Sequence, residues 1–333
     1  MKINDPCLER GGLKLKNIMT EISIIVPIYN EEENIKLFLQ RTEKVLDKIG
    51  KSYEIIFALD PSLDNSENII LEEIKRNKNI KLLIFSRQFG QPAATMAGIS
   101  NCKGSYCVTI DVDLQDPPEI IENLYNKIIS GYEVVYAKRK SRKGETFLKK
   151  LISSIAYYLI NKFSDIQIPR DTGDYRIFSR RVINHLVKLN ESHGFLRGLV
   201  AFVGFKQSFV EYDREKRFAG KGKYNKFFGS LKIGFNGLIG FSSKPLFFMS
   251  VSGFLIALLS FLLGFWYVIQ KITDINLTPG LTTTVILISF FAGIQLLGLG
   301  LLGEYVGRIY DEVKQRPKYI LDKKINFDDQ QQK

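Results

Sequence analysis

Ser105 to Glu119 reads SYCVTIDVDLQDPPE. Its first half, Tyr106 to Ile110, is β-branched and almost free of polarity, the composition of a buried strand. The run stops abruptly at Asp111, Val112 and Asp113. Alternation along an extended chain turns Asp111 and Asp113 to one side and Val112 into the core. Two carboxylates at the C-terminal end of a strand lie where open α/β sheets bind ligands. Their hard oxygens suit Mg²⁺ or Mn²⁺, with substrate phosphate completing the coordination. Asp116-Pro117-Pro118-Glu119 then reads as a helix start, with Asp116 as N-cap and proline in the first turn. A D-x-D alone is equally compatible with a solvated acidic turn, so the surrounding chain has to separate the two.

Upstream, strands and helices alternate. Ile22 to Ile28 is a short apolar run, and Asn30 is the expected N-cap of a helix through Asp47. Tyr53 to Leu59 is a second strand, followed by the polar turn Asp60 to Asn65 and a helix to Arg76. Ile80 to Phe85 is a third, with Ser86 to Gly90 leading into a helix from Gln91 to Ser100. Short connections imply right-handed crossovers and a doubly wound, mainly parallel α/β sheet. The turns that follow the strands then gather at one edge. No G-x-G-x-x-G follows the first strand, which argues against a dinucleotide site.

Downstream, Tyr132 to Ala137 is a further strand, leading into Lys138, Arg139, Lys140, Arg142 and Lys143. Such a basic run is ordinarily a solvated loop; beside a diphosphate site it becomes a candidate anion site. A helix is expected from Thr146 to Phe163. In Asp171-Thr172-Gly173-Asp174 two aspartates flank a glycine, the pattern of a tight turn presenting a carboxylate. Arg214 to Tyr224 is basic and broken by glycine, and Asn225 to Phe241 carries phenylalanine, leucine and isoleucine at spacings of three and four. That spacing suits a helix lying in a membrane interface.

The chain has 333 residues, enough for about two structural units, and a net charge of +12, which favours anionic partners such as nucleotides, nucleic acid or a phospholipid surface. Cys7, Cys102 and Cys107 include no C-x-x-C pair, arguing against a disulfide framework or structural zinc. Residues 1–20 are polar and read as a loose tail without the apolar core of a signal peptide, and Met19 is an alternative start.

The C-terminal third is apolar. No charge falls between Lys244 and Lys271, or between Asp274 and Glu304. Each run exceeds the ~20 residues of a bilayer-spanning helix. Trp266 and Tyr267 suit an interfacial belt. The joint at Asn276 to Gly280 is short, so the pair reads as a transmembrane hairpin, about 246–269 and 281–303. Lys221, Lys223, Lys226, Lys232, Lys244, Arg308, Lys314, Arg316 and Lys318 flank the hairpin, against Lys271 in its loop. The positive-inside rule puts both termini and the soluble domain in the cytoplasm of an inner membrane. Gly293, Gly298, Gly300 and Gly303 could let helices pack closely and build a homo-oligomer. The expected division is a tail (1–20), a catalytic domain (21–223), an interfacial helix (224–244), two transmembrane helices (245–303) and a cytoplasmic tail (304–333).

In order, VPIYNEEENI, SRQFGQPAATMAGI, DVDLQDPPE and DTGDYRIFSRRV resemble the family 2 glycosyltransferases of GT-A fold, nearest to the polyprenyl-phosphate branch. The resemblance implies metal-dependent, inverting transfer of a sugar from a nucleotide-sugar, a UDP-sugar by preference, to a polyprenyl phosphate, with no nucleic-acid partner. It implies that Pro27, Tyr29 and Glu31 shape the nucleotide pocket and that Asp60 sits near the base or ribose. Asp111 and Asp113 would hold Mg²⁺ or Mn²⁺ and the diphosphate, with Gln115 beside them, and Asp174 would be the candidate base. Arg139, Arg217 and Lys223 are assigned to the acceptor phosphate, Arg217 because it precedes the expected interfacial helix. The family's D-D-G-S turn is replaced by Leu59-Asp60-Pro61-Ser62, which leaves the nucleotide base open. Three alternatives stand: a GDP-mannose-using homologue, a processive polysaccharide synthase and a non-catalytic membrane scaffold. The synthase predicts a Q-x-x-R-W motif, but the sole tryptophan is Trp266.

Overall fold

Ile22–Ile28 (β1), Tyr53–Leu59 (β2), Ile80–Phe85 (β3) and Tyr106–Thr109 (β4) form the centre of an eight-stranded sheet. The computed structural model describes residues 20–140, 172–189, 191, 196–219, 242, 244–273 and 280–327. β1 to β3 fall on the expected residues because their runs are apolar throughout, as strands covered on both faces require. β1 pairs in parallel with β2 and β4, and β2 with β3. Helices Glu32–Ile49 (α1), Ser66–Arg76 (α2), Gln91–Asn101 (α3) and Ile120–Ile129 (α4) connect or follow these strands. Alternate residues feed two cores: Ile22, Ile24, Val26 and Ile28 pack with Phe38, Leu39 and Leu124, while Ile25 packs with Ala94 and Ala97 of α3. α3 lies so close to β1 that a Cβ at Gly98 would stand 2.1 Å from Cγ2 of Ile25.

Val134–Arg139 (β5), Thr172–Ser179 (β6) and Gln207–Tyr212 (β7) extend the sheet beyond β4, in the order β7-β5-β6-β4-β1-β2-β3-β8. β6 runs antiparallel to both β4 and β5. Arg180–Lys188 (α5) and Leu196–Val203 (α6) follow it, on the α3 face. The last strand, Leu321–Ile325 (β8), pairs antiparallel with β3 at the opposite edge. The sheet is therefore mixed, with a parallel centre.

Lys244–Ile272 (α7) and Leu281–Val313 (α8) are long and apolar enough to cross a membrane, and their large apolar side chains, Phe254, Phe261 and Leu297 among them, are exposed. Met249 packs against Gly298, and the Tyr305 hydroxyl donates to the Ser242 carbonyl at 2.7 Å, fastening the two helices together. α8 runs ten residues past the expected end at 303, and the expected C-terminal tail contains β8.

Four local expectations are corrected. Asn30 is not a cap: α1 begins at Glu32, and its first amides are satisfied from the β2–α2 turn. Asp116 is not a cap either: α4 begins at Ile120, and Asp116 is buried. Thr172 to Asp174 do not form a tight turn: Thr172 onward is strand β6, its backbone bonds taken by β4 and β5. β5 ends at Arg139 rather than Ala137, which draws Arg139 out of the basic loop and into the sheet. Residues 1–19, Arg142, Lys143, the expected helix at 146–163, Asp171, Lys223, the interfacial helix at 225–241 and the Asn276 loop lie outside the described residues.

Candidate active site

The turns after β1 to β4 meet at one sheet edge, as a doubly wound topology requires. The first two are zipped together. The Ser62 hydroxyl accepts the Asn30 amide at 3.0 Å, and the Asn30 side-chain oxygen accepts the Leu63 amide at 2.7 Å. Ser66 accepts from the Glu31 amide at 3.2 Å, and Asp64 from the Glu32 amide at 3.0 Å. Asn30 sits at φ +49°, a left-handed conformation that asparagine tolerates. Pro27, paired with Ala58, and Tyr29 stand at the base of this turn.

Asp60 is buried, and both its oxygens accept backbone amides: Phe89 at 3.0 Å and Gly90 at 2.9 Å. This carboxylate holds the Ser86–Gly90 turn. Gly90, at φ +87°, supplies the turn's bend and leads into α3. There Gln91, whose place in the sequence carries no signal of a role, donates its side-chain amide to Asp111 at 2.7 Å.

Asp111 and Asp113 follow β4 in a turn, with Val112 buried between them as expected. Leu114 takes φ +59°, a conformation costly for a leucine and typical of backbone held for a function. The Asp113 carboxylate accepts the Gln115 amide at 3.1 Å. Burial, followed by the charges of Asp116, Asp174 and Asp113, pushes Asp111 up to about 8. Burial also raises Asp113, against the Gln115 amide and Arg217. Half-buried carboxylates whose ionisation is opposed by burial, made of hard oxygen, fit a divalent cation. Among the described residues, no group of three or more His, Cys, Asp or Glu side chains is arranged for a metal.

Asp174 lies on β6, beside β4. Arg197 of α6 donates to both its oxygens, at 2.9 and 3.2 Å, and Arg176 to one at 3.3 Å. Burial alone would raise this carboxyl, but Arg197, Arg176 and Arg139 outweigh it and bring it down to about 2. A group so strongly held as a carboxylate is a poor proton acceptor. Arg197 was missed because nothing in GFLRGLV marks it; only the packing of α6 against β6 reveals its partner. Arg176 is fully buried, with its Nε and Nη1 atoms unpaired.

The two arginines expected at the acceptor phosphate reach different carboxylates. Arg139 donates to the Tyr212 hydroxyl at 3.2 Å, lies 3.6 Å from Asp116, and neighbours Gly173. Arg217 ion-pairs with Glu31 and stands 3.6 Å from Asp113, between the nucleotide-pocket and metal candidates. Its segment, 213–219, crosses the Asp113 turn as a strap. The Glu215 amide donates to the Gln115 carbonyl at 3.0 Å, Arg41 of α1 bonds both Glu119 and Glu215, and Arg214 lies 3.5 Å from Asp116. Asp116, read from sequence as a cap, is in fact the buried hub of Tyr212, Arg139 and Arg214.

Residues 23–187 match the family model described as glycosyl transferase family 2. The chain is 43% identical over 308 residues to an uncharacterized glycosyltransferase, YkcC, of Bacillus subtilis, covering 92% of this chain and 95% of the relative. It is 38% identical over 303 residues to a prophage-derived bactoprenol glucosyl transferase of Shigella flexneri, covering 91% and 98%. Among solved structures, glucosyl-3-phosphoglycerate synthase of Mycobacterium tuberculosis superposes with a TM-score of 0.50 at 17% identity, covering 70% of this chain and 84% of that one, a likeness of fold. With the D-x-D turn, the strand order and near full-length relatives agreeing, this chain is a glycosyltransferase of GT-A fold and belongs to glycosyl transferase family 2.

Proposed function

We propose that this enzyme transfers a hexose, glucose by preference, from a UDP-sugar to a polyprenyl phosphate at a membrane surface, with inversion at the anomeric carbon. The observation that carries the reading is the Asp111–Asp113 turn, two half-buried carboxylates held above the usual range by burial, in a chain that continues into two apolar helices. The Shigella relative's name supports glucose and a bactoprenol acceptor. The Mycobacterium neighbour, crystallised with Mn²⁺ and UDP, supports the donor and cation classes. In the reaction a lipid-phosphate oxygen bonds to the sugar's anomeric carbon as the bond to the nucleoside diphosphate breaks, and the electron pair leaves with the diphosphate.

Asp111 and Asp113 would hold Mg²⁺ or Mn²⁺, which supplies charge neutralisation for the departing diphosphate. Gln91 orients Asp111, and the Gln115 amide orients Asp113. Arg217, beside Glu31 and Asp113, serves the donor diphosphate, a placement its neighbours favour over the acceptor role expected from sequence. Arg139, together with Lys223, is left to the acceptor phosphate. An alkyl phosphate with a second pKa of about 6 is mostly dianionic at neutral pH and needs positioning more than deprotonation. Asp174, an ionised carboxylate gripped by arginines, suits that positioning work. The topology we infer has the catalytic domain and both termini on the cytoplasmic side.

Membranes carrying the enzyme, incubated with radiolabelled polyprenyl phosphate and a panel of UDP- and GDP-sugars with Mn²⁺, test the reading. Labelled lipid-phosphate-sugar from UDP-glucose is expected. Product from GDP-mannose instead would replace the donor assignment, and nucleotide release independent of lipid would remove the acceptor.

A further inference from the structure

The C-terminal strand is far from the catalytic turns in sequence, yet it starts beside one of them. β8 pairs Leu82 with Ile325, Ile84 with Lys323 and Phe85 with Leu321, and a register shift falls between Ile84 and Phe85. Past it the pairing continues into the catalytic edge, where the Ser86 amide donates to the Ile320 carbonyl at 3.1 Å. The Tyr319 ring meets Phe85 edge-on at 6.0 Å, and Phe85 meets Phe89 at 6.0 Å. Phe89 and Gly90 are the residues whose amides Asp60 holds, and the next residue, Gln91, bonds Asp111. Contacts thus run unbroken from the tail to the first aspartate of the D-x-D.

The strand is also fastened at its far end. Asn326 donates to the carbonyls of Lys78 and Ile80 at 2.7 Å each, and Lys324 donates to Asn101 at the end of α3 at 2.8 Å. Covering an exposed sheet edge would explain the β-pairing alone. It does not explain Tyr319 and Ile320, which lie before the strand and engage the end of β3 and the turn that follows it.

We propose that Tyr319–Ile325 is a positioning element of the catalytic site: it fixes the end of β3 and the Ser86–Gly90 turn, and through them the Gln91 amide on Asp111. Tyr319 is its main positioning residue. The consequence for donor binding rests on the function proposed above. Because the segment is joined to the end of α8 by the short connection Lys314–Lys318, the hairpin is tied mechanically to the site where the nucleotide's diphosphate would bind.

The test uses the full-length protein in detergent, as wild type, Tyr319→Ala and Tyr319→Phe. Amide hydrogen exchange over residues 86–91 should accelerate in Tyr319→Ala and stay at the wild-type rate in Tyr319→Phe, which keeps the ring. UDP affinity with Mn²⁺, by calorimetry, should fall about threefold to tenfold in Tyr319→Ala only, the scale of one lost aromatic pair. Unchanged exchange at 86–91 overturns the proposal. So does acceleration spread equally over β1 and β2, which would mean general loosening, or accelerated exchange with unchanged UDP affinity. A wild type that binds no UDP refutes the donor reading instead, and exchange alone then decides the positioning claim.

Discussion

Asp111 and Asp113 differ in what their loss should do. Asp113→Asn should cut transfer at least about 100-fold, the scale of a lost electrostatic contact to developing charge, with the unfolding temperature unchanged. EDTA should do the same to the wild type, and added Mn²⁺ should rescue only the wild type; near-normal turnover of the variant would remove the metal assignment. Asp111→Asn should also abolish transfer while stabilising the metal-free protein. The folded carboxyl titrates near 8 against 3.8 unfolded, so its favourable contribution is complete below 3.8 and is lost as pH rises through about 8. Scanning calorimetry in EDTA should show the variant ahead by on the order of 1 kcal/mol or more at pH 8, with the advantage vanishing at pH 4. Asp174 has the opposite sign. Depressed to about 2, it contributes stability above 3.8 that is lost as pH falls through about 2. The rate between pH 5 and 8 should therefore show no limb from Asp174; a limb in that range that disappears in Asp174→Asn would make it a base after all. The sequence singled out both D-x-D aspartates and Asp174 as candidates because motif order is local. It could not show that Asp174 is clamped by Arg197, 23 positions away on another element.

The strap at 213–219 is an element without regular structure, held by side chains. Arg41 reaches Glu119 at 2.6 Å and Glu215 at 3.1 Å, while Arg217 reaches Glu31 and Asp113. Arginine's planar fork suits a diphosphate as it suits a carboxylate. Arg217→Lys keeps the charge and loses the fork, so transfer should fall roughly tenfold to a hundredfold if a charged hydrogen bond of about 1.5–3 kcal/mol is lost. On the placement beside Asp113, the loss should appear as weaker UDP binding with Mn²⁺ in the absence of acceptor. Unchanged UDP affinity with a raised KM for lipid phosphate would return Arg217 to the acceptor. The β1–α1 and β2–α2 turns make the same point about elements. Asn30 resembles a cap by sequence, but its side chain serves a turn 33 residues on.

At the scale of the whole molecule, β8 returns to the sheet after α8, so the chain leaves and rejoins the catalytic domain around a two-helix hairpin. Two helices long enough to cross, with both ends joined to one domain, support the proposal that the connecting loop alone lies across the membrane. A cysteine at Asn276 should react with an impermeant thiol reagent in intact cells, and one at Ser141 only after permeabilisation; labelling of Ser141→Cys in sealed cells would invert the arrangement. The sequence by itself determined the parallel centre, the two apolar helices and the order of the catalytic motifs. These depend on hydrophobic periodicity and on residues adjacent in the chain, information each segment carries alone. Tertiary structure decided the rest: that β6 enters antiparallel, that the tail closes the sheet edge, that Asp60 holds the Ser86–Gly90 turn, and which carboxylates Arg217 and Arg139 reach. Each of these depends on which distant backbone donors and charges the topology brings together. A buried carboxylate takes whatever partner lies in reach, and reach is a property of the fold rather than of spacing along the chain.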